Sequence, residues 1–107
     1  MDSRNPLETK FLRRFLTAGA ADQESLSDYV VFVQNGCGPC SWLLRELAAA
    51  NINVPVLNID ASQSNMSEWK KVTNGVHYTK PSLYNKKTGV VMPESRDIFA
   101  LLKSKFG

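Results

Sequence analysis

The sequence predicts an α/β domain: a four-stranded mixed sheet, made of two parallel strands plus a C-terminal antiparallel hairpin, flanked by helices, with an extra N-terminal helix. Three observations predict it. The first two strand-like segments are separated by an amphipathic stretch of helical length, and such a crossover leads to parallel pairing. The last third holds two short apolar segments around the polar turn Asn85-Lys86-Lys87-Thr88, the pattern of a hairpin. The chain has 107 residues, the size of one domain with one core. Residues 1–107 are therefore read as a single unit, with 1–28 an N-terminal helix and loop and 29–107 the core.

Each element has its own signal. Leu7, Phe11, Leu12, Phe15 and Leu16 recur at helical spacing, opposite Lys10, Arg13 and Arg14, so a helix is expected from about Pro6 to Thr17. Gly19 and the polar stretch Asp22 to Asp28 should end it as a loop. Tyr29-Val30-Val31-Phe32-Val33 is a continuous β-branched and aromatic run, suited to a strand buried on both faces. Asn35 to Cys40 turns the chain into a helix marked by Leu43, Leu44, Leu47 and Ala48 that ends near Asn51. Val54 to Ile59 reads as the second strand, with Pro55 at its start, where an edge tolerates proline. Met66, Trp69 and Val72, behind a cap at Ser64, predict a third helix. Pro81 to Tyr84 and Gly89 to Met92 form the hairpin, and Ile98, Leu101, Leu102 and Lys105 share one face of a closing helix.

Composition narrows the function classes. Hydrophobic residues make up 43% and charged residues 21%, the proportions of a soluble globular protein. The net charge of +3 comes from scattered basic pairs, without the stripe of cations and aromatics that marks a nucleic-acid binder. A mildly positive surface steers acidic protein partners. The N-terminal residues lack the apolar stretch of a secretory signal, and no apolar run approaches the ~20 residues of a membrane span. No membrane or nucleic-acid partner is expected, and the cytoplasm is the expected compartment. There a close cysteine pair is more often catalytic or metal-binding than structural.

That pair is Cys37 and Cys40. Two cysteines separated by two residues at a helix start come within bridging distance in the first turn. The free N–H groups and positive dipole end there favour a thiolate on the first of them. Cys37 is thus the expected nucleophile, and Cys40 the resolving thiol that attacks a mixed disulfide. Pro39 suits an opening helical turn, and Gly38 lets a partner backbone approach. Half of a zinc site or a structural bridge are the alternatives. A zinc site wants four ligands, and His77 is the sole further candidate, so a metal would have to be shared between chains.

With these residues in view, Cys37-Gly38-Pro39-Cys40 resembles the active-site motif of thioredoxins, following a hydrophobic strand and preceding a helix as in that family. Thr79-Lys80-Pro81, ahead of the hairpin, resembles the cis-proline loop of the thioredoxin superfamily. The resemblance covers about Tyr29 to Phe106 and implies a thioredoxin fold. It implies that Pro81 is cis and packed beside the Cys37 sulfur. It also implies that Thr79 and Lys80 offer backbone hydrogen bonds to an extended substrate segment. No metal and no tightly bound cofactor are implied; the redox group is the Cys37–Cys40 disulfide itself.

The sequence also departs from its relatives. Gly36 stands where thioredoxins carry tryptophan, and the strand Tyr29 to Val33 lacks their buried aspartate. The compact element order is similar to that of glutaredoxins, but Met92-Pro93-Glu94 stands where those have a glycine pair that binds glutathione. Lys80 replaces a small apolar residue. An ammonium ~4 Å from the sulfur would favour the Cys37 thiolate by about 1–4 kcal/mol; the plain alternative is a lysine in solvent. His77 is a proton-shuttle candidate or an exposed loop residue. Trp42 is a docking surface or a packing residue, and Trp69 belongs to the core. Arg96-Asp97 opens the last helix, near where relatives hold glutathione's charged end; a capping or solvated role is the plain alternative. The expected function is reduction of protein disulfides by a monomer recharged by a reductase. A glutathione-dependent enzyme, or a docking module holding a metal between chains, are the alternatives.

Overall fold

A computed structural model describes residues 24–107. The predicted N-terminal helix, Pro6 to Thr17, lies outside the described residues. The described chain begins with one 3₁₀ turn, Leu26–Asp28, capped by Ser25. A plain loop was expected there. The turn arises because Ser25 N–H bonds the Asp28 carboxylate at 2.8 Å, a local side-chain contact that nucleates a helical turn.

Strand β1, Tyr29–Val33, is buried at every position. Side chains alternate across a strand, and two apolar clusters result. Tyr29, Val31 and Val33 join Leu43, Leu47, Ile98 and Leu102 on one face, while Val30 and Phe32 meet Ile59 and Trp69 on the other. Helix α1, Gly38–Ala49, supplies Leu43 and Leu47 to the first cluster. It ends at Asn51, whose φ of 62° is left-handed. The Ile52 N–H then reaches the Leu47 carbonyl at 2.9 Å and the Asn51 N–H reaches Ala48 at 3.1 Å, closing the helix with a Schellman pair of bonds.

Strand β2, Val56–Asn58, is shorter than the expected Val54 to Ile59. Pro55 has no N–H for the ladder, although its carbonyl accepts from Val31 N–H at 2.9 Å. Helix α2, Gln63–Thr73, starts at Ser62, whose hydroxyl oxygen accepts from Asn65 N–H. The cap is thus Ser62 and not Ser64, because the Asn65 amide also bonds the Asn58 carbonyl at 2.9 Å and pulls the helix start back onto the strand. Strands β3, Ser82–Asn85, and β4, Val91–Pro93, pair antiparallel with Ser82 facing Pro93. In their turn, Asn85 Oδ1 accepts from Lys87 N–H at 2.9 Å, the local bond that makes asparagine a turn residue. Helix α3, Ser95–Phe106, packs beside α1.

The sheet order is β2-β1-β3-β4. β1 runs parallel to β2 and antiparallel to β3. The fold is α/β with a four-stranded mixed sheet, α1 and α3 on one face and α2 on the other. Among the described residues, no helix is long and apolar enough to cross a membrane.

Candidate functional site

The C-terminal end of β1 leads through Gln34, Asn35 and Gly36 into α1. Gly36 has φ of 69°, a left-handed conformation that side chains resist, which accounts for glycine at this turn. Asn35 N–H donates to the Asp60 carboxylate at 2.8 Å, fixing the turn. Gly38 and Pro39 are exposed and form the first turn of α1.

Cys37 is the N-cap of that helix, and its sulfur accepts from Cys40 N–H at 3.1 Å. The two cysteines are joined by a disulfide with Cα atoms 5.2 Å apart, inside the range that a bridge requires. The two sulfurs differ in access. Cys37 is half-buried at the surface, whereas Cys40 is 2% exposed and sits in the cluster with Leu43.

The chain returns to this pair after α2. The Lys80–Pro81 peptide is cis, and Pro81 is buried. The Lys80 carbonyl oxygen lies 3.6 Å from Cys37 Sγ. Ser82, 0% exposed, donates its hydroxyl to the Thr79 carbonyl at 2.5 Å and so braces the loop from within the sheet. Thr79 itself is exposed. The structure therefore brings together Gly36, Cys37, Gly38, Pro39, Cys40, Lys80 and Pro81, with Thr79 at the margin.

Lys80 departs from the expectation for its side chain. The ammonium lies 5.4 Å from the Trp69 ring centroid, so the contact that Lys80 makes with Cys37 is through its carbonyl. The ring quadrupole attracts the cation toward α2. Trp69 accordingly has two faces of use. It packs on Phe32 at 5.1 Å, as a core residue does, and it also holds Lys80. His77 is exposed and lines the groove beside Lys80 and Trp69.

On the other side of the disulfide, Trp42 is half-buried between Phe99, edge-on at 5.9 Å, and the Arg96 guanidinium at 5.2 Å. It is packed and also part of the surface around the site. Arg96 thus stacks, where a capping or solvated role was the plain expectation. Ser82 and the Trp69–Lys80 pair were missed as site features. The serine directly after Thr79-Lys80-Pro81 was a legible signal; the pairing of residues eleven apart on different elements was not.

Among the described residues, no three His, Cys, Asp or Glu side chains gather as a metal-binding group. What the site defines is a Cys-x-x-Cys disulfide at the head of a helix in an α/β domain. Compared with models of known protein families and with curated proteins, the chain matches none.

Proposed function

We propose that this chain is a thiol–disulfide oxidoreductase of the thioredoxin fold that reduces protein disulfides through Cys37 and Cys40. The observation that carries the reading is the pairing of a surface sulfur, capping α1 and receiving the Cys40 N–H, with a buried sulfur one turn inside. A helix N-terminus favours an anion, so after reduction Cys37 is the group suited to be a thiolate and to attack.

The cycle balances as two exchanges. The Cys37 thiolate attacks one sulfur of a client disulfide; the client S–S bond breaks, a Cys37–client bond forms, and the departing thiolate takes a proton. Cys40 then gives up its proton and attacks Cys37 Sγ, which releases the second client thiol and leaves the Cys37–Cys40 disulfide. Two electrons have passed to the client. An external dithiol or thiol donor returns them. The position of exposed Thr79 and half-buried Lys80 beside Cys37 supports an extended client strand as the substrate segment. A compartment that keeps thiols reduced, such as the cytoplasm, suits this direction.

The test is turnover of an insulin disulfide with two donors in parallel, NADPH with a flavoprotein reductase, and glutathione. Reduction with the first donor is the expected result, and a Cys37→Ser/Cys40→Ser variant is expected to be silent. Turnover supported by glutathione alone would move the protein to the glutaredoxin-like alternative. Failure with both donors overturns the enzymatic reading.

A further inference from the structure

A groove of about 620 Å³ opens on the α2 face of the sheet, with Lys80 in its lining. It begins at Gln34, where β1 ends, and passes Trp69 and Lys70 to His77 and Lys80. Its wall includes Val76, an apolar side chain 54% exposed. Trp69, 7% exposed and wedged on Phe32, is a rigid platform, and the Lys80 ammonium rests over it. Cation–π attraction holds the ammonium in place without neutralising its charge.

Three further facts bear on recognition. Among the described residues, neither Lys70 nor Lys80 forms an ion pair with a carboxylate. The acid in the groove, Asp60, is engaged by Asn35 N–H. The same residue that presents the held cation also places its carbonyl against the reacting sulfur. A client segment laid along Cys37 therefore passes the residue whose side chain holds this cation over Trp69.

We propose that Lys80, held on Trp69, is the specificity element of the disulfide site and selects client proteins with Asp or Glu next to the attacked cysteine. The inference rests on the disulfide-exchange reading above. It adds no step to the chemistry, since the carboxylate–ammonium contact forms on docking and persists until the mixed disulfide has formed. Its contribution is charge complementarity at the rim of the site, which sets partner choice.

The experiment uses the reduced full-length protein in single-turnover exchange with three disulfide-linked peptides that differ only in a Glu, Gln or Lys beside the cysteine. The Glu peptide is expected to react about threefold to tenfold faster than the Lys peptide, with the gap narrowing at high salt. The ratio of the two rates cancels any change in the intrinsic reactivity of Cys37. That ratio is expected to fall toward one in Lys80→Met and to be retained in Lys80→Arg, which keeps a cation able to stack on Trp69. Equal rates in the parent, or a preference that survives Lys80→Met, overturn the proposal. So does glutathione disulfide outrunning every peptide irrespective of residue 80. A charge preference in exchange without catalytic turnover upholds the inference and sinks the reductase reading; turnover without preference does the reverse.

Discussion

The two ends of the sheet are built to opposite rules. At the end where β1 begins, both carboxylates, Glu24 and Asp28, are paired. The Glu24 carboxylate accepts from the Tyr29 hydroxyl, from the Asn85 amide at 3.1 Å and from Lys105 at 2.9 Å. Asp28 pairs with Lys87 at 3.7 Å and takes the Lys86 N–H on its carbonyl at 2.8 Å. Chain entry, hairpin turn and last helix are tied there. At the end where β1 finishes, Lys70, Lys80 and Arg96 form no ion pair among the described residues, a sulfur stands at the surface, and Gly36 and Glu94 both have positive φ. One end is tied by ion pairs and hydrogen bonds, and the other keeps unpaired cations and positive-φ backbone among the described residues, which suits the rim proposed for disulfide exchange.

The sharpest way to break that comparison is at the sulfurs. Cys37→Ser should abolish disulfide turnover, since serine offers no thiolate, while leaving the matched end as it was. Ultraviolet titration of Tyr29 reports on that end, and its pKa, pushed up to about 12 by burial and by Glu24, should stay there. Cys40→Ser should instead stop after the first exchange and accumulate a mixed disulfide with one client thiol per chain, read by mass spectrometry. Equal turnover in either variant and the parent would erase the distinction between the two ends.

How far the sequence revealed these ends follows from the range of the interactions. β1, the head of α1 and the hairpin turn were legible because their signals are local: a run of β-branched residues, a Cys-x-x-Cys before leucines at helical spacing, an asparagine at a hairpin turn. The order of elements implied the parallel and antiparallel pairs. The Glu24 cluster was not legible, because Glu24, Asn85 and Lys105 meet only after the sheet has folded. The side chain of Lys80 went to Trp69 for the same reason, as an aromatic ring on another element outcompetes a position judged from loop spacing alone. Ser62 displaced Ser64 as a cap because a tertiary bond from Asn65 set where α2 starts.

Between the ends lies the shared core, and damage there should reach both. Leu43 and Ile98 are each 0% exposed and join α1 and α3 to β1. Leu43→Ala or Ile98→Ala is expected to cost about 2–5 kcal/mol, from lost burial plus the cavity left behind. Urea titration followed through Tyr29 and through Trp42 should show one coincident transition, shifted by the same amount at both probes. Val56→Ala, at a position 40% exposed on edge strand β2, should stay within about 0.5 kcal/mol. Separate transitions at the two probes would mean that the ends unfold independently.

The matched end carries a pH signature of its own. The hydrogen bond from Tyr29, followed by those from Lys105 and Asn85, lowers the Glu24 pKa from 4.5 to about 2. A carboxyl with a depressed folded-state pKa contributes stability above its unfolded value and loses it as pH falls. The Glu24 contribution is therefore full above about pH 4.5 and drains away toward pH 2. Tyr29 works with the opposite sign. Its raised pKa favours the protonated phenol, so that contribution is full below about pH 10 and is lost toward pH 12. In Glu24→Gln, melting temperature should fall relative to the parent at pH 7, and the gap should close as pH drops from 4.5 to 2. A gap that is constant with pH would show that packing, not charge, ties this end.

The smallest expected effects concern backbone strain at the reactive end. Gly36 and Glu94 have φ of 69° and 84°, but only one of them is a glycine. A side chain in such a conformation costs roughly 1–2 kcal/mol, and glycine gives back roughly 0.5–1 kcal/mol by loosening the unfolded chain. Gly36→Ala should therefore destabilise by about 1 kcal/mol or slightly less, even though nothing lies within 4 Å of the added Cβ. Glu94→Gly should do the reverse and raise the melting temperature by about 2–4 °C. Glu94 precedes the turn of α3 that carries Arg96 onto Trp42, so the same variant frees the rim beside the disulfide to move. If the melting temperature rises while the rate of disulfide exchange falls, strain at Glu94 is holding that rim in its reactive shape. If both rise together, the strain there is incidental, and the contrast between the two ends rests on charge alone.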